Sequence, residues 1–172
     1  INGGLINTNG FSFEEIKELF LNKKRNKLNH PNMMKFDEIN SKIWNLNADV
    51  FIPCAASRLI TESQLNSMIS KGIKLISAGA NVPFSDPQIF FGPIAERADN
   101  NLSLIPDFIS NCGMARVFAY LMSNDINSIT DKQIFADTSV TIKKALQNTF
   151  NVNSSKTGIA KSAFTIALKQ LI

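Results

Sequence analysis

Apolar positions in this chain follow two rhythms. Short apolar runs occur at Val50-Phe51-Ile52-Pro53, Ile73-Lys74-Leu75-Ile76-Ser77 and Leu102-Ser103-Leu104-Ile105. Between them lie stretches of helical length in which apolar residues recur every three or four positions. Thr61-Glu62-Ser63-Gln64 has the form of a capping box, in which the Thr hydroxyl accepts from a backbone N–H of the first turn and the Gln reaches back. Leu65, Met68 and Ile69 follow on one helical face. Ser85-Asp86-Pro87-Gln88 is expected to open the next helix, with Pro in the first turn where its missing N–H is harmless. Ile89, Phe90, Ile94 and Ala95 would form its apolar side. Strand, helix, strand, helix, strand is the order of a parallel sheet with right-handed crossovers, an α/β fold.

The flanks read as helical. Ser12-Phe13-Glu14-Glu15 caps a helix running to about Asn22, after a turn or short hairpin at Gly3-Gly4. Beyond Pro106, Asp107 is expected to cap a helix carrying Phe108, Ile109, Met114, Val117, Phe118 and Leu121. Thr130-Asp131-Lys132-Gln133 is a third capping box, followed by Ile134, Val140, Ile142, Leu146 and Phe150. A polar break at Asn151 to Ser155 precedes a last helix with Ala163, Phe164, Ile166, Ala167 and Leu171.

Composition narrows the class. Hydrophobic residues are 44% of the chain and charged residues 19% of it, which suits a packed core rather than disorder. No apolar run approaches the roughly 18 residues of a membrane span, and no signal peptide is visible, so a cytoplasmic protein with no membrane partner is expected. The chain opens at Ile1 without Met, which leads to the expectation that it is part of something longer. Lys23, Lys24, Arg25 and Lys27 cluster, but no aromatic residues interleave them, so a solvated helix end is favoured over a nucleic-acid surface. Cys54 and Cys112 are too few for a disulfide framework and have no metal-ligand spacing, and His30 stands alone beside Pro31.

Candidate chemistry lies where ligands bind in open parallel sheets, beyond the carboxyl ends of the strands. Three segments sit there: Pro53-Cys54-Ala55-Ala56-Ser57, Ala78-Gly79-Ala80-Asn81-Val82-Pro83, and Pro106 through Gly113. All are rich in small residues, which let a ligand approach the backbone. Asn81 and Asn111 offer both donors and acceptors, suited to a carboxamide or a ribose hydroxyl. The alternative is that the small residues permit tight turns and each Asn caps one.

These strings, with Asn2-Gly3-Gly4-Leu5-Ile6-Asn7 and Gly10 upstream, resemble the cofactor domain of the glutamate, leucine, phenylalanine and valine dehydrogenases. The likeness runs from the start of the chain to about Leu121, and the helical tail fits the family's closing helices. The resemblance implies the second half of a Rossmann-like domain over residues 1–124, with residues 125–172 as helices packing back toward an absent N-terminal domain. It implies oxidative deamination of an L-amino acid by hydride transfer to NAD or NADP. It also implies a homo-oligomer assembled through that absent domain. By position, Cys54 and Ala55 stand where the family lines the cofactor ribose. Ala80 and Asn81 stand at the nicotinamide ribose, and Asn111 at the nicotinamide end. Ala115 and Phe118 stand on the wall of the substrate pocket.

The chain departs from the family at several of these positions. Met114 stands where Gly is frequent, Ala115 where Val is common, and Phe118 where a small residue is common. Ala78 and Arg58 stand where the glutamate-type members carry Glu and Asn. Phe118 facing the pocket would argue against a charged glutamate side chain; core packing is the alternative for it. No G-x-G-x-x-G occurs, so the pyrophosphate turn is missing and NAD against NADP is open. No lysine matches the family's catalytic motif, no catalytic residue is assigned, and the chain alone is expected to be inactive. Two other readings stand beside this one. One is a non-catalytic relative that binds nucleotide as a sensor or interaction module. The other is a free-standing small domain with a different ligand.

Overall fold

A computed structural model describes residues 3–25, 27–88, 91–125 and 128–170. The chain forms two compact units, Ile1–Leu46 and Asn47–Ile172.

In the first unit, α1 spans Phe13–Leu21 and α2 spans Phe36–Lys42, followed by a 3₁₀ turn at Ile43–Asn45. The capping box at Ser12 is formed in full. Gly4 pairs with Met34 in an antiparallel bridge. Gly3 has φ +136°, and a Cβ there would lie 1.9 Å from the Met34 carbonyl oxygen, so only Gly fits the bridge. The helix α2 was not expected from the sequence pattern: its N-cap is Lys35, with no side-chain cap bond.

The second unit holds the sheet: β1 (Val50–Phe51), β2 (Leu75–Ser77) and β3 (Ser103–Ile105), all parallel, in the order β1-β2-β3. Its helices are α3 (Glu62–Ser70), α4 (Pro93–Asn101), α5 (Asp107–Ser110), α6 (Gly113–Ser123), α7 (Asp131–Val152) and α8 (Ile159–Lys169). This is the expected α/β order. Ile76 pairs in register with Leu104, and both are buried with Leu65, Met68, Ala98 and Ala163 in the core. Both remaining capping boxes, at Thr61 and Thr130, are formed.

Two expectations are corrected. Residues 85–88 do not begin a helix; α4 starts at Pro93 after the N-cap Gly92. Asp86 still caps it, but from a distance: its carboxylate accepts from the N–H groups of Ile94 and Ala95 at 2.8 and 2.9 Å. A proline does occupy the first turn, Pro93 rather than Pro87. The expected helix from Asp107 is two helices, because Asn111 leaves helical geometry and α6 restarts at Gly113. The positions Asn2, Ile89, Phe90 and Leu171 lie outside the described residues.

Helix α8 is fastened to α4 by one carboxylate. Asp99, near the end of α4 and 1% exposed, accepts from Ala160 N–H at 2.8 Å and Lys161 N–H at 3.0 Å at the start of α8. Its backbone carbonyl accepts from Gly158 N–H. Gly158 is left-handed, with φ +71°. The preceding turn is wired by Asn153, whose amide donates to Thr157 O, Gly158 O and Ser162 Oγ.

Helices α6 and α7 are joined by a two-pronged ion pair, Arg116 Nε and Nη2 to the two oxygens of Asp137. The hydrogen bond from Arg116 holds the Asp137 carboxyl below its ordinary 3.8. A carboxyl lowered in the fold stabilises it above the unfolded value, and that contribution disappears as pH falls through the lowered value. Asp137→Asn should therefore reduce the urea midpoint slightly at neutral pH, and the gap to wild type should close below pH 3.8. A gap that persists unchanged into strong acid would show that the pair contributes by packing alone.

Candidate functional site

The three loops expected to carry chemistry meet at the carboxyl end of the sheet, because parallel strands in consecutive order deliver them to the same edge. Each is stitched to the next. The Ala80 N–H donates to Pro53 O at 2.7 Å, joining the loops after β1 and β2. Ser110 Oγ donates to Ala78 O at 2.7 Å, and Asp107 Oδ2 accepts from Val82 N–H at 2.8 Å, joining the loops after β2 and β3. At the outer rim, Asn111 Nδ2 donates to Asn81 Oδ1 at 2.7 Å. The two asparagines singled out separately in the sequence are thus one pair.

That pairing orients the remaining groups. Asn81 keeps its two amide N–H donors and Asn111 keeps its side-chain oxygen, both on exposed residues. Adjacent donors and an acceptor are what a carboxamide or a vicinal diol needs. Among the described residues, every buried side-chain N or O atom has a partner.

The small residues divide into two roles. Cys54 and Ala55 are exposed beside the rim. Ala80 is 6% exposed, and its N–H is already used by Pro53, so its side chain serves packing between loops. Gly79 is required by closeness: a Cβ there would lie 2.4 Å from Cys54 Sγ and 3.2 Å from Pro53 O. Val82 follows with φ +45°, unusual for a β-branched residue. It is held by Asp107 on one side and by Arg58 N–H, which donates to Val82 O at 2.7 Å, on the other. Strain of this kind persists only where neighbours over-determine it.

Arg58, itself at φ +58°, also donates from Nη1 to Asp86 O at 2.7 Å, so this residue braces the loop before α4. Asp107, Ser110 and Arg58 were not read from the sequence as bracing residues, since each acts on a loop 25 or more positions away. A small apolar cavity of about 60 Å³ lies behind the rim, with Phe84, Phe91, Phe108 and Phe164 around it. None of the expected cofactor residues lines it.

On α6, Ala115 and Phe118 are both exposed, Phe118 by 58%. Core packing within this chain therefore does not account for Phe118. Met114 and Met122, at 66% and 88% exposure, lie one turn to either side of it. Among the described residues, no group of three His, Cys, Asp or Glu could hold a metal ion, and no helix is long and apolar enough to cross a membrane.

Comparison with known proteins places this arrangement. The family model described as Glutamate/Leucine/Phenylalanine/Valine dehydrogenase matches residues 1–172. Among solved structures, Plasmodium falciparum glutamate dehydrogenase is similar at TM-score 0.62 and 18% identity, over 90% of this chain and 34% of that one. Plasmodium falciparum glutamate dehydrogenase 2 is similar at TM-score 0.57 and 20% identity, over 95% of this chain and 39% of that one. A further glutamate dehydrogenase gives 0.60 and 14%, over 92% and 37%. The chain thus spans less than half the length of these similar proteins. A comparison with curated protein sequences finds no match.

Proposed function

The chain belongs to the glutamate/leucine/phenylalanine/valine dehydrogenase family, and on that premise we propose that it is the nicotinamide-side half of the cofactor domain of an NAD- or NADP-dependent L-amino acid dehydrogenase. The observation that carries the reading is the Asn111–Asn81 hydrogen bond, which fixes two polar side chains at the rim where a parallel sheet receives its ligand. Residues 1–124 then complete a Rossmann-type domain with upstream strands. Residues 125–172 close it on the side of a second domain, through which the subunits assemble.

The residues fit the cofactor. Asn81 and Asn111 would hold its carboxamide and nearby ribose, with Cys54 and Ala55 admitting the ribose closely and Ala80 spacing the loops. When bound, NAD or NADP supplies hydride acceptance, the hard part of the chemistry. The contribution of this chain is orientation: stitched loops hold the polar groups at fixed positions, and near-attack geometry depends on such fixing. The lysine and aspartate of the reaction are assigned to the absent domain, so this chain alone is inactive. Phe118 and Ala115 would form one wall of the substrate pocket. An exposed aromatic there favours an apolar or medium-sized amino acid over glutamate. The test is a panel of L-amino acids with NAD and NADP on the full-length protein; turnover of glutamate above all apolar substrates would overturn the substrate assignment.

Exposed Cys54 gives a second test. Its alkylation by iodoacetamide should slow several-fold when cofactor is added to the full-length protein. Equal rates with and without NAD and NADP would remove the β1 loop from the site. The second reading, a nucleotide-binding sensor without catalysis, is favoured by one observation, the protruding Met114 beside the rim. It predicts calorimetric binding of cofactor with no turnover of any amino acid.

A further inference from the structure

Asp107 stands where the loops after β2 and β3 meet, and it acts on both asparagines of the rim. Its side chain reaches across 25 positions: Oδ2 accepts from Val82 N–H at 2.8 Å. That N–H belongs to the peptide joining Asn81 to Val82, so the carboxylate fixes the backbone immediately after Asn81. Its main chain does the same for the other asparagine, since the Asp107 carbonyl accepts from Asn111 N–H at 2.7 Å. One residue therefore sets where both backbones lie. The bond from Asn111 Nδ2 to Asn81 Oδ1, also 2.7 Å, completes a closed circuit with it.

The chemistry of the side chain fits this task. Oδ1 accepts from Phe108 N–H at 2.9 Å, within α5. A single acceptor, such as a serine hydroxyl, would be enough for that. The second oxygen is the one that crosses to the loop after β2. Among the described residues Asp107 makes no ion pair, so its carboxylate is spent on backbone N–H groups. The peptide it holds is one that needs holding. Val82 has φ +45°, in the left-handed region where a β-branched side chain crowds its own backbone. Arg58 N–H clamps the Val82 carbonyl, and Asp107 clamps the Val82 N–H. With the second clamp removed, the Asn81–Val82 peptide is free to turn toward an ordinary φ, and the Asn81 side chain turns with it. Strained backbone fixed from both sides is a device of preorganised sites.

We infer that Asp107 is a positioning residue for cofactor recognition, acting through Asn81 and Asn111 on the nicotinamide half alone. The inference rests on the dinucleotide reading of the rim. Its test uses the full-length protein and compares two ligands by calorimetry. One is the reduced cofactor, NADH or NADPH. The other is the matching adenine half, adenosine 5′-phosphate or adenosine 2′,5′-bisphosphate. Asp107→Ala should weaken the reduced cofactor by about tenfold, the size of one or two lost hydrogen bonds, and leave the adenine half unchanged. A merely structural loss would weaken both ligands in proportion. Asp107→Asn keeps one acceptor oxygen for two N–H groups, so its loss should be smaller and in the same direction; it decides alone if the alanine variant unfolds. In a protein already carrying Asn81→Ala and Asn111→Ala, Asp107→Asn should cost little more, because the groups it aims are gone. Full binding of the reduced cofactor by both variants, proportional loss of both ligands, or an undiminished loss in the double-asparagine background would each overturn the inference and leave the dinucleotide reading standing. A wild-type protein that binds neither NADH nor NADPH would overturn both.

Discussion

Replacing Asp99 by Ala is expected to lower the unfolding free energy by about 3 kcal/mol, from a lost helix cap combined with a lost buried, charged acceptor. The side chain is 1% exposed and accepts from Ala160 and Lys161 at the first turn of α8. Alanine leaves the buried Ala160 N–H and the part-buried Lys161 N–H without this acceptor, and the turn through Gly158 loses its alignment. Urea titration should show a lower midpoint with little change in slope, the signature of lost stability rather than altered compactness. A midpoint within error of wild type would mean that water replaces the carboxylate and that α8 is not fastened by it.

The pH behaviour of Asp99 separates two effects. Burial raises its carboxyl above the ordinary 3.8, and the N–H groups of α8 offset only part of that. A carboxyl raised in the fold favours folding most when protonated, so stability falls as pH rises from 3.8 through the raised value. Asp99→Asn should abolish that slope. It should also cost less than Ala at neutral pH, since the amide keeps one acceptor oxygen. This slope is opposite in sign to that of Asp137, which lies below 3.8, so the two carboxyls are distinguishable in one series of pH-dependent unfolding curves.

Asn111→Ala in the full-length protein should reduce kcat/KM by about thirtyfold, near 2 kcal/mol of lost hydrogen bonding in the transition state. The substitution removes one proposed ligand group and also the tie that orients Asn81. Asn81→Ala should cost a similar amount. The double variant should cost clearly less than the sum, because each single change already disrupts the shared pair. Additive losses would show that the two side chains act separately and that their hydrogen bond has no role in orienting either. A kcat/KM unchanged in both would remove the rim from the cofactor site. Thermal stability should move little, since both residues are exposed.

The sequence was most legible where structure is local. All three capping boxes form as read, at Ser12, Thr61 and Thr130, because a box needs only residues three positions apart. The three apolar runs became the three parallel strands, with the central residues Ile76 and Leu104 of the second and third buried. Reading failed where the partner is distant. Asp86 looked like a local cap before Pro87, yet its carboxylate reaches across to Ile94 and Ala95, and α4 begins six residues later than Pro87. Asp107 looked like the cap of one long helix. Its Oδ2 in fact holds Val82, and the helix breaks at Asn111, where the rim is formed. The pairing of Asn81 with Asn111 was equally invisible, since residues 30 positions apart meet only once the sheet is built.

The order β1-β2-β3 has a consequence for how the second unit is made. Each strand pairs with the one synthesised just before it, so the sheet can grow in step with the ribosome and no strand waits for a later one to separate it from its neighbour. The docking of α8 is different in kind. Helix α8 leaves the ribosome after every strand is in place, and Asp99 waits on α4 for its N-terminus. A chain arrested before Ile159 would therefore carry these three paired strands and a carboxylate with nothing to cap. Quality control would meet such a chain as an intermediate that is folded at its centre and open along one side.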